Sequence, residues 1–273
     1  MTEAAPPLLA RALAVLLFAS PALSTGAGLI GLPGQVAPFV VMDERDVEAA
    51  LSLAQVRRGD RLIDLGSGDG RVVISAARRG ARALGVELNP ALVLRARRAA
   101  AEAGLSKWAQ FVEGDLFAQD LRGATVVTLY LYPDANRALR PKLLRELQPG
   151  ARIVSNSFDL GDWRPDTHID AASSGGLLLW IVPARMAGCW RLPSGAHFTL
   201  TQRYQRLTFD DGLAALALAP GWEATVNGWA LTGVGPQGPF EGQLTGAQLT
   251  LQSPGQKALI ATACTASRAL EDG

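Results

Sequence analysis

The sequence is poor in the residues that metal and nucleophilic chemistry use most. It has two histidines (His168, His197) and two cysteines (Cys189, Cys264) in 273 residues. No CxxC, HxxxH or HExxH spacing occurs, so neither a zinc centre nor a histidine-driven hydrolase is expected, and no metal site is assigned. An excess of charge is also missing. The 26 basic residues face 25 acidic ones, a net charge of +1, which argues against a nucleic-acid partner held by bulk electrostatics. Long hydrophobic runs are few: Ala12 to Leu23 has the length of a signal-peptide core and falls short of the roughly 20 residues of a spanning helix. The chain stays uncharged from Ser24 through Met42, but Pro21, Ser24, Thr25 and Gly26 weaken that stretch as a helix. Residues 1–36 therefore read as an export signal cleaved near Thr25-Gly26-Ala27, a retained membrane anchor, or a buried helix. The cysteines do not arbitrate, since a C-terminal pair can be a disulfide or two buried thiols.

What is present is ample apolar material, 48% against 19% charged, which excludes intrinsic disorder. From Asp43 helix and strand signals alternate. Asp43 is the expected N-cap of a helix over DERDVEAALSLAQV. Strands are expected at RLIDLG, ARALGVEL, AQFVEGD, ATVVTLYLY and ARIVSNSF. Helices are expected at RVVISAARRG, at PALVLRARRAAAEAGL opening with Pro90, and in DANRALRPKLLRELQPG, with Pro141 as a break. That alternation implies an α/β fold, a parallel sheet with helices on both faces, over 37–170. After about Ile169 the pattern changes to period-2 alternation with Gly turns. HFTLTQRYQRLTF, WEATVNGWALTG and FEGQLTGAQLTLQ predict a small antiparallel β domain over 175–268, with Trp180, Trp190, Trp222 and Trp229 filling its core.

The informative stretch is Asp64-Leu65-Gly66-Ser67-Gly68-Asp69-Gly70-Arg71, placed where the first strand ends and a helix begins. Glycines there let the backbone turn and lie against a ligand, under helix-start N–H groups. Glu87 ends the second strand, where a carboxylate can accept both hydroxyls of a ribose, and Asp115 ends the third, within reach of an adenine amino group. A dinucleotide fingerprint would need a third glycine at the position of Arg71 and has no use for Asp64.

The DxGxGxG pattern with Glu87 and Asp115 resembles class I S-adenosylmethionine (SAM)-dependent methyltransferases. The resemblance implies a Rossmann-like sheet and SAM as cofactor, with Asp64, Gly66, Ser67, Gly68, Asp69, Gly70, Glu87 and Asp115 around it. From Pro38 to Pro165, segments such as LIDLGSGDGRVVISAA, GVELNPALVLRAR and LRPKLLRELQPGARIVS are similar to a subgroup of protein-lysine methyltransferases, membrane-associated in mitochondria and soluble in archaea. Where that subgroup commonly reads Pro-Tyr-Val-Pro-Thr, this chain has Pro38-Phe39-Val40-Val41-Met42, without the tyrosine hydroxyl or the threonine. The departure bears on the acceptor, not on the cofactor. The β part resembles a C-terminal extension of bacterial members.

The expected activity is therefore N-methylation of a protein lysine, with Tyr130, Tyr132 and Asp134 at the end of the fourth strand as acceptor-side candidates. Asp134 also reads as a plain helix cap. Trp163, with Asp159 and Asp162, reads as a lid or a surface loop. A small-molecule or lipid-linked acceptor is the second reading, and an exported, non-catalytic binding protein the third. Because SAM is made in the cytoplasm, the expected placement is membrane-associated with the catalytic domain facing the cytoplasm; export after signal cleavage is the alternative.

Overall fold

The computed structural model describes residues 39–172, 174–214 and 217–264. The segment 1–36 and its cleavage motif lie outside these residues. Among the described residues no helix is long and apolar enough to cross a membrane.

A seven-stranded sheet comes first: β1 (Arg61–Leu65), β2 (Arg82–Glu87), β3 (Ala109–Glu113), β4 (Val126–Leu129), β5 (Arg152–Asn156), β6 (Thr167–Ile169) and β7 (Leu177–Ile181). Their spatial order is β3-β2-β1-β4-β5-β7-β6. The first five run parallel, joined through α2 (Arg71–Arg78), α3 (Pro90–Glu102) and α4 (Pro133–Glu146), while β7 is antiparallel to both β5 and β6. The central strand β4 is buried at every residue, as a sheet covered on both faces requires. One face packs under α1 (Glu44–Leu53), α2 and α3 through Leu51, Val73 and Ala96. The other packs under α4 through Leu139 and Leu143.

Local signals explain the helix ends. Asp43 caps α1 by accepting the Arg45 N–H at 2.8 Å, and Asn89 caps α3 by accepting that of Ala91 at 2.9 Å, with Pro90 in the first turn. Pro141 does not break its helix, contrary to the sequence expectation: α4 runs through it. Leu139 and Leu143, both fully buried on either side, hold the two turns against the sheet and outweigh the lost hydrogen bond.

Residues Leu177–Ile181 correct the expected boundary at 175. They read as the opening of the β domain but form β7, paired residue for residue with β5 from Arg152↔Ile181 to Asn156↔Leu177. The second body starts after them. It is a closed barrel of β8 (Gly188–Arg191), β9 (His197–Arg203), β10 (Arg206–Phe209), β11 (Trp222–Asn227), β12 (Ala230–Gly235), β13 (Gly238–Thr245), β14 (Gln248–Gln252) and β15 (Leu259–Ala263). Its interior is filled by Trp190, Phe198, Phe209, Phe240 and Leu249 among others. The closing seam between β15 and β8 has only two register pairs, Thr262↔Arg191 and Ala263↔Trp190. Beside it a disulfide joins Cys189 to Cys264, 75 residues apart in sequence, which settles the cysteine question. Of the tryptophans assigned to the barrel, Trp190 fills its core and Trp222 packs at its margin, whereas Trp180 lies in the sheet core and Trp229 is exposed.

The two bodies meet at Trp163. This residue is neither lid nor surface loop: it is fully buried, stacked on Tyr204 of the β9–β10 turn at 5.7 Å between ring centres and tilted against Trp180 at 6.3 Å. Asp162 next to it accepts from Arg140, Arg203 and the Tyr204 hydroxyl, so charge from α4 and from the barrel converges on one carboxylate.

Candidate active site

Strand order reverses between β1 and β4, and a doubly wound sheet binds ligands at the strand C-termini beside such a switch. The chain leaves β1 there through the glycine loop. Gly66, Gly68 and Gly70 have φ of +82°, +54° and +83°, left-handed backbone that glycine alone adopts readily. At Gly70, the N-cap of α2, a Cβ would lie 2.6 Å from the Phe111 ring and 2.8 Å from Ala96. The loop is anchored below by the Gly66 and Ser67 N–H groups, which both donate to the Val86 carbonyl.

Glu87 braces the loop from the side. One carboxylate oxygen accepts the Gly68 N–H and the other the Asn89 N–H, each at 2.9 Å. Asp115 follows β3 on an exposed turn, where its Oδ1 accepts the Phe117 N–H at 2.9 Å. Asp64, on β1, is buried and accepts the Thr128 hydroxyl at 2.7 Å. Asp64, Glu87 and Asp115 all line one cavity, together with Gly66, Ser67, Gly68 and Asp69. Gly70 sits behind the loop at the start of α2. Asp69 also does something the sequence did not announce: it is ion-paired to Arg71 at 2.7 Å, and Arg71 donates to the Met42 carbonyl at 2.6 Å. That chain of bonds ties the glycine loop to the strap Phe39–Met42, which closes one side of the cavity.

Burial pushes the Asp64 carboxyl up to about 7; the Thr128 hydroxyl opposes this, and the Glu87 and Asp69 carboxylates add to it. A carboxyl raised in the folded state binds its proton more tightly there than in the unfolded chain. Its contribution to stability is complete below the ordinary value of 3.8 and is lost as pH rises to about 7. Asp64→Asn is therefore expected to melt higher than the native chain at pH 8 by roughly 5–10 °C, with the gap closing toward pH 4. Thermal scans of both ligand-free proteins across that range check it; parallel curves would contradict it.

On the acceptor side the structure separates the three candidates. Tyr130 lines the cavity and its outer opening. Tyr132 does not: it is 41% exposed at the N-cap of α4, edge-on to Phe158. The alternation that would have kept both tyrosines on one side stops at Leu129, where β4 ends and the chain turns into α4. Asp134 is a first-turn acid of that helix, its side chain 95% exposed and paired with Arg137; it neither lines the cavity nor caps the helix, whose N-cap is Tyr132 with no side-chain cap bond.

Comparison with known proteins agrees with this geometry. The profile of the ANTKMT methyltransferase domain matches residues 64–167. A protein-lysine N-methyltransferase of Saccharolobus islandicus is 39% identical over 130 residues, 47% of this chain and 81% of that protein. The chain belongs to this methyltransferase family. Members use SAM, and the chain is a SAM-dependent methyltransferase. The adenine nucleotide translocase lysine N-methyltransferase of Mus musculus is 44% identical over 129 residues, 47% of this chain but 56% of that protein. The chain thus spans little more than half the length of that animal relative. The crystal structure of an RNA methyltransferase of Salinibacter ruber with S-adenosyl-L-homocysteine is 47% identical, with a TM-score of 0.52, covering 54% of this chain and 96% of that one. The family match ends before β7, so the barrel stands outside it.

Two residues of the methyltransferase site escaped the sequence reading. Arg71 was weighed only as the glycine missing from a dinucleotide motif. Asn156, the last residue of β5, lines the cavity and its opening, yet in the sequence it is one of three successive polar residues, Ser155-Asn156-Ser157, at a strand's end.

Proposed function

We propose that this chain methylates the side-chain amine of a protein lysine, at a membrane to which residues 1–36 hold it with the catalytic domain on the cytoplasmic side. The observation that carries the lysine reading is the likeness to the archaeal protein-lysine enzyme over most of its length. The site supports it. The opening that leads to Tyr130 and Asn156 is walled by Val40, Val41 and Met42 and carries Asp43 and Glu44 against Arg45 and Arg71. Apolar walls with balanced charge suit the aliphatic stem of a lysine. They also favour the neutral amine over the ammonium, which must lose its proton from a reference pKa of about 10.4 before it can attack.

The cavity fits SAM. Each Glu87 oxygen keeps a lone pair beyond its backbone bond, and these would take the two ribose hydroxyls. Asp115 would face the adenine amino group. Asp64 would hold the methionyl end, in the hollow that the Gly66–Gly70 turn leaves at the end of β1. Bound there, SAM supplies a methyl on a sulfonium, ready for in-line displacement. The residues of the chain have to align the amine, exclude water and stabilise positive charge. The Tyr130 ring, next to the place where the cavity meets its opening, serves the last task as a cation–π partner.

A second reading, export after cleavage near Thr25-Gly26-Ala27, is favoured by the Cys189–Cys264 bridge, because such bridges persist in oxidising compartments. One experiment addresses acceptor and place together. Membrane and soluble fractions of the source cell are incubated with methyl-labelled SAM and the full-length protein. The expected label resists RNase, is removed by protease, is recovered as methyl-lysine and concentrates in membranes that retain an intact N-terminus. Label in RNA or in small molecules would overturn the lysine reading, and a mature chain starting near Ala27 outside the cytoplasm would overturn the placement.

A further inference from the structure

We propose that Asn156 positions the methyl acceptor by donating a hydrogen bond from its side-chain nitrogen to a main-chain carbonyl oxygen of the segment that bears the target lysine. The inference deepens the lysine reading and rests on it. Asn156 is 1% exposed, and its Nδ2 has no partner among the described residues. A buried amide nitrogen left without an acceptor is a costly arrangement, found where a ligand supplies the missing oxygen. The place is specific: Asn156 borders both the cofactor cavity and its outer opening, and Tyr130 is the other polar side chain there not already held in an ion pair.

One end of the carboxamide is engaged by Ser157. Ser157 Oγ accepts the Gly175 N–H at 3.1 Å and donates its proton to Asn156 Oδ1 at 2.8 Å. The oxygen is thus occupied, and the nitrogen is the end of the carboxamide left without a partner. Ser157 has a φ of +68°, a left-handed conformation that an ordinary residue adopts at a cost, and its N–H donates to the Gly176 carbonyl at 2.8 Å. Asn136 of α4 braces the same strand exit by donating to Ser155 Oγ and to the Phe158 carbonyl, each at 3.0 Å.

The chemistry selects the partner. A donor aimed at the amine itself would occupy the lone pair needed for attack, so a productive bond goes to an oxygen. A lysine held in a peptide has carbonyl oxygens on its main chain; a simple alkyl amine has none. Asn156 then discriminates between the two, which makes it a positioning residue and not a catalytic one.

The test compares the full chain with Asn156→Ala and Asn156→Asp, using the lysine peptide identified from labelled protein and n-butylamine as a stripped acceptor. The expected result for Asn156→Ala is a KM for the peptide raised about 10-fold or more, the worth of a hydrogen bond to a buried group. SAM affinity and the slow rate on butylamine fall by a clearly smaller factor than the peptide KM rises. Asn156→Asp keeps the shape without the donor and shows the same peptide defect. Equal losses on peptide and butylamine, a fall in kcat with KM unchanged, or a loss of SAM affinity as large as the peptide defect would each overturn the proposal in favour of a structural role. If the native protein labels no lysine at all, it is the lysine reading that fails, and that result is read from the native chain without any variant.

Discussion

Glu87→Ala is expected to weaken SAM binding at least about 100-fold, read by titration calorimetry at neutral pH with SAM and with S-adenosyl-L-homocysteine. Hydrogen bonds to a charged group are worth about 1.5–3 kcal/mol each, and the carboxylate has one free lone pair on either oxygen for the ribose, so two such bonds are at stake. The substitution also removes the acceptor for the Gly68 and Asn89 N–H groups, leaving the glycine loop without its lateral brace. Glu87→Gln separates the two effects. One amide oxygen can still accept from one N–H, so a loss of about 10-fold is expected. An unchanged circular-dichroism spectrum would show that the fold survives. Affinity within threefold of the native chain in both variants would mean that the carboxylate serves the loop and not the ligand.

Trp163→Ala is expected to destabilise the chain by about 3–5 kcal/mol, the usual result of emptying a fully buried aromatic site. Its location gives the loss a particular form. The indole stacks on Tyr204 at an interplanar angle of 16°, while its own carbonyl receives the Trp180 indole N–H at 2.8 Å. Removing it empties the space where sheet and barrel share a core. A single denaturant transition in the native protein is expected to split into two, barrel and sheet unfolding separately. Trp163→Phe is expected to cost much less, since it keeps a ring against Tyr204 and disposes of an indole N–H that has no hydrogen-bond partner in the described structure. A loss below 1 kcal/mol for the alanine variant would show that the two bodies are only loosely joined.

The parallel half of the fold and the cofactor end of its site were legible because each of their signals is local. Asp64, Glu87 and Asp115 each stand at or just beyond the end of a strand, and consecutive parallel strands bring their ends to one edge without further information. β7 was not legible. LLLWI reads as a generic strand, and only pairing with β5 more than twenty residues earlier decides which sheet takes it. Trp163 was misread for a related reason. A tryptophan among Gly, Asp, Arg and Pro looks like a loop residue until Tyr204, some forty residues on, is laid over its ring. Tyr132 and Tyr130 could not be told apart because the point at which β4 gives way to α4 is set by packing, not by either tyrosine. Asn156 carried no signal at all. Its role depends on what its nitrogen lacks, and that is known only once every neighbour is in place.

A ring of strands whose last member is bonded to its first offers no row of unused amides to a newcomer. In the described residues such rows remain only along β3 and along β6, which is three residues long. Copies of this protein that meet through the barrel must therefore do so by side chains, and template-like growth of one chain upon another is blocked at that end for as long as Cys189 and Cys264 keep the ring shut.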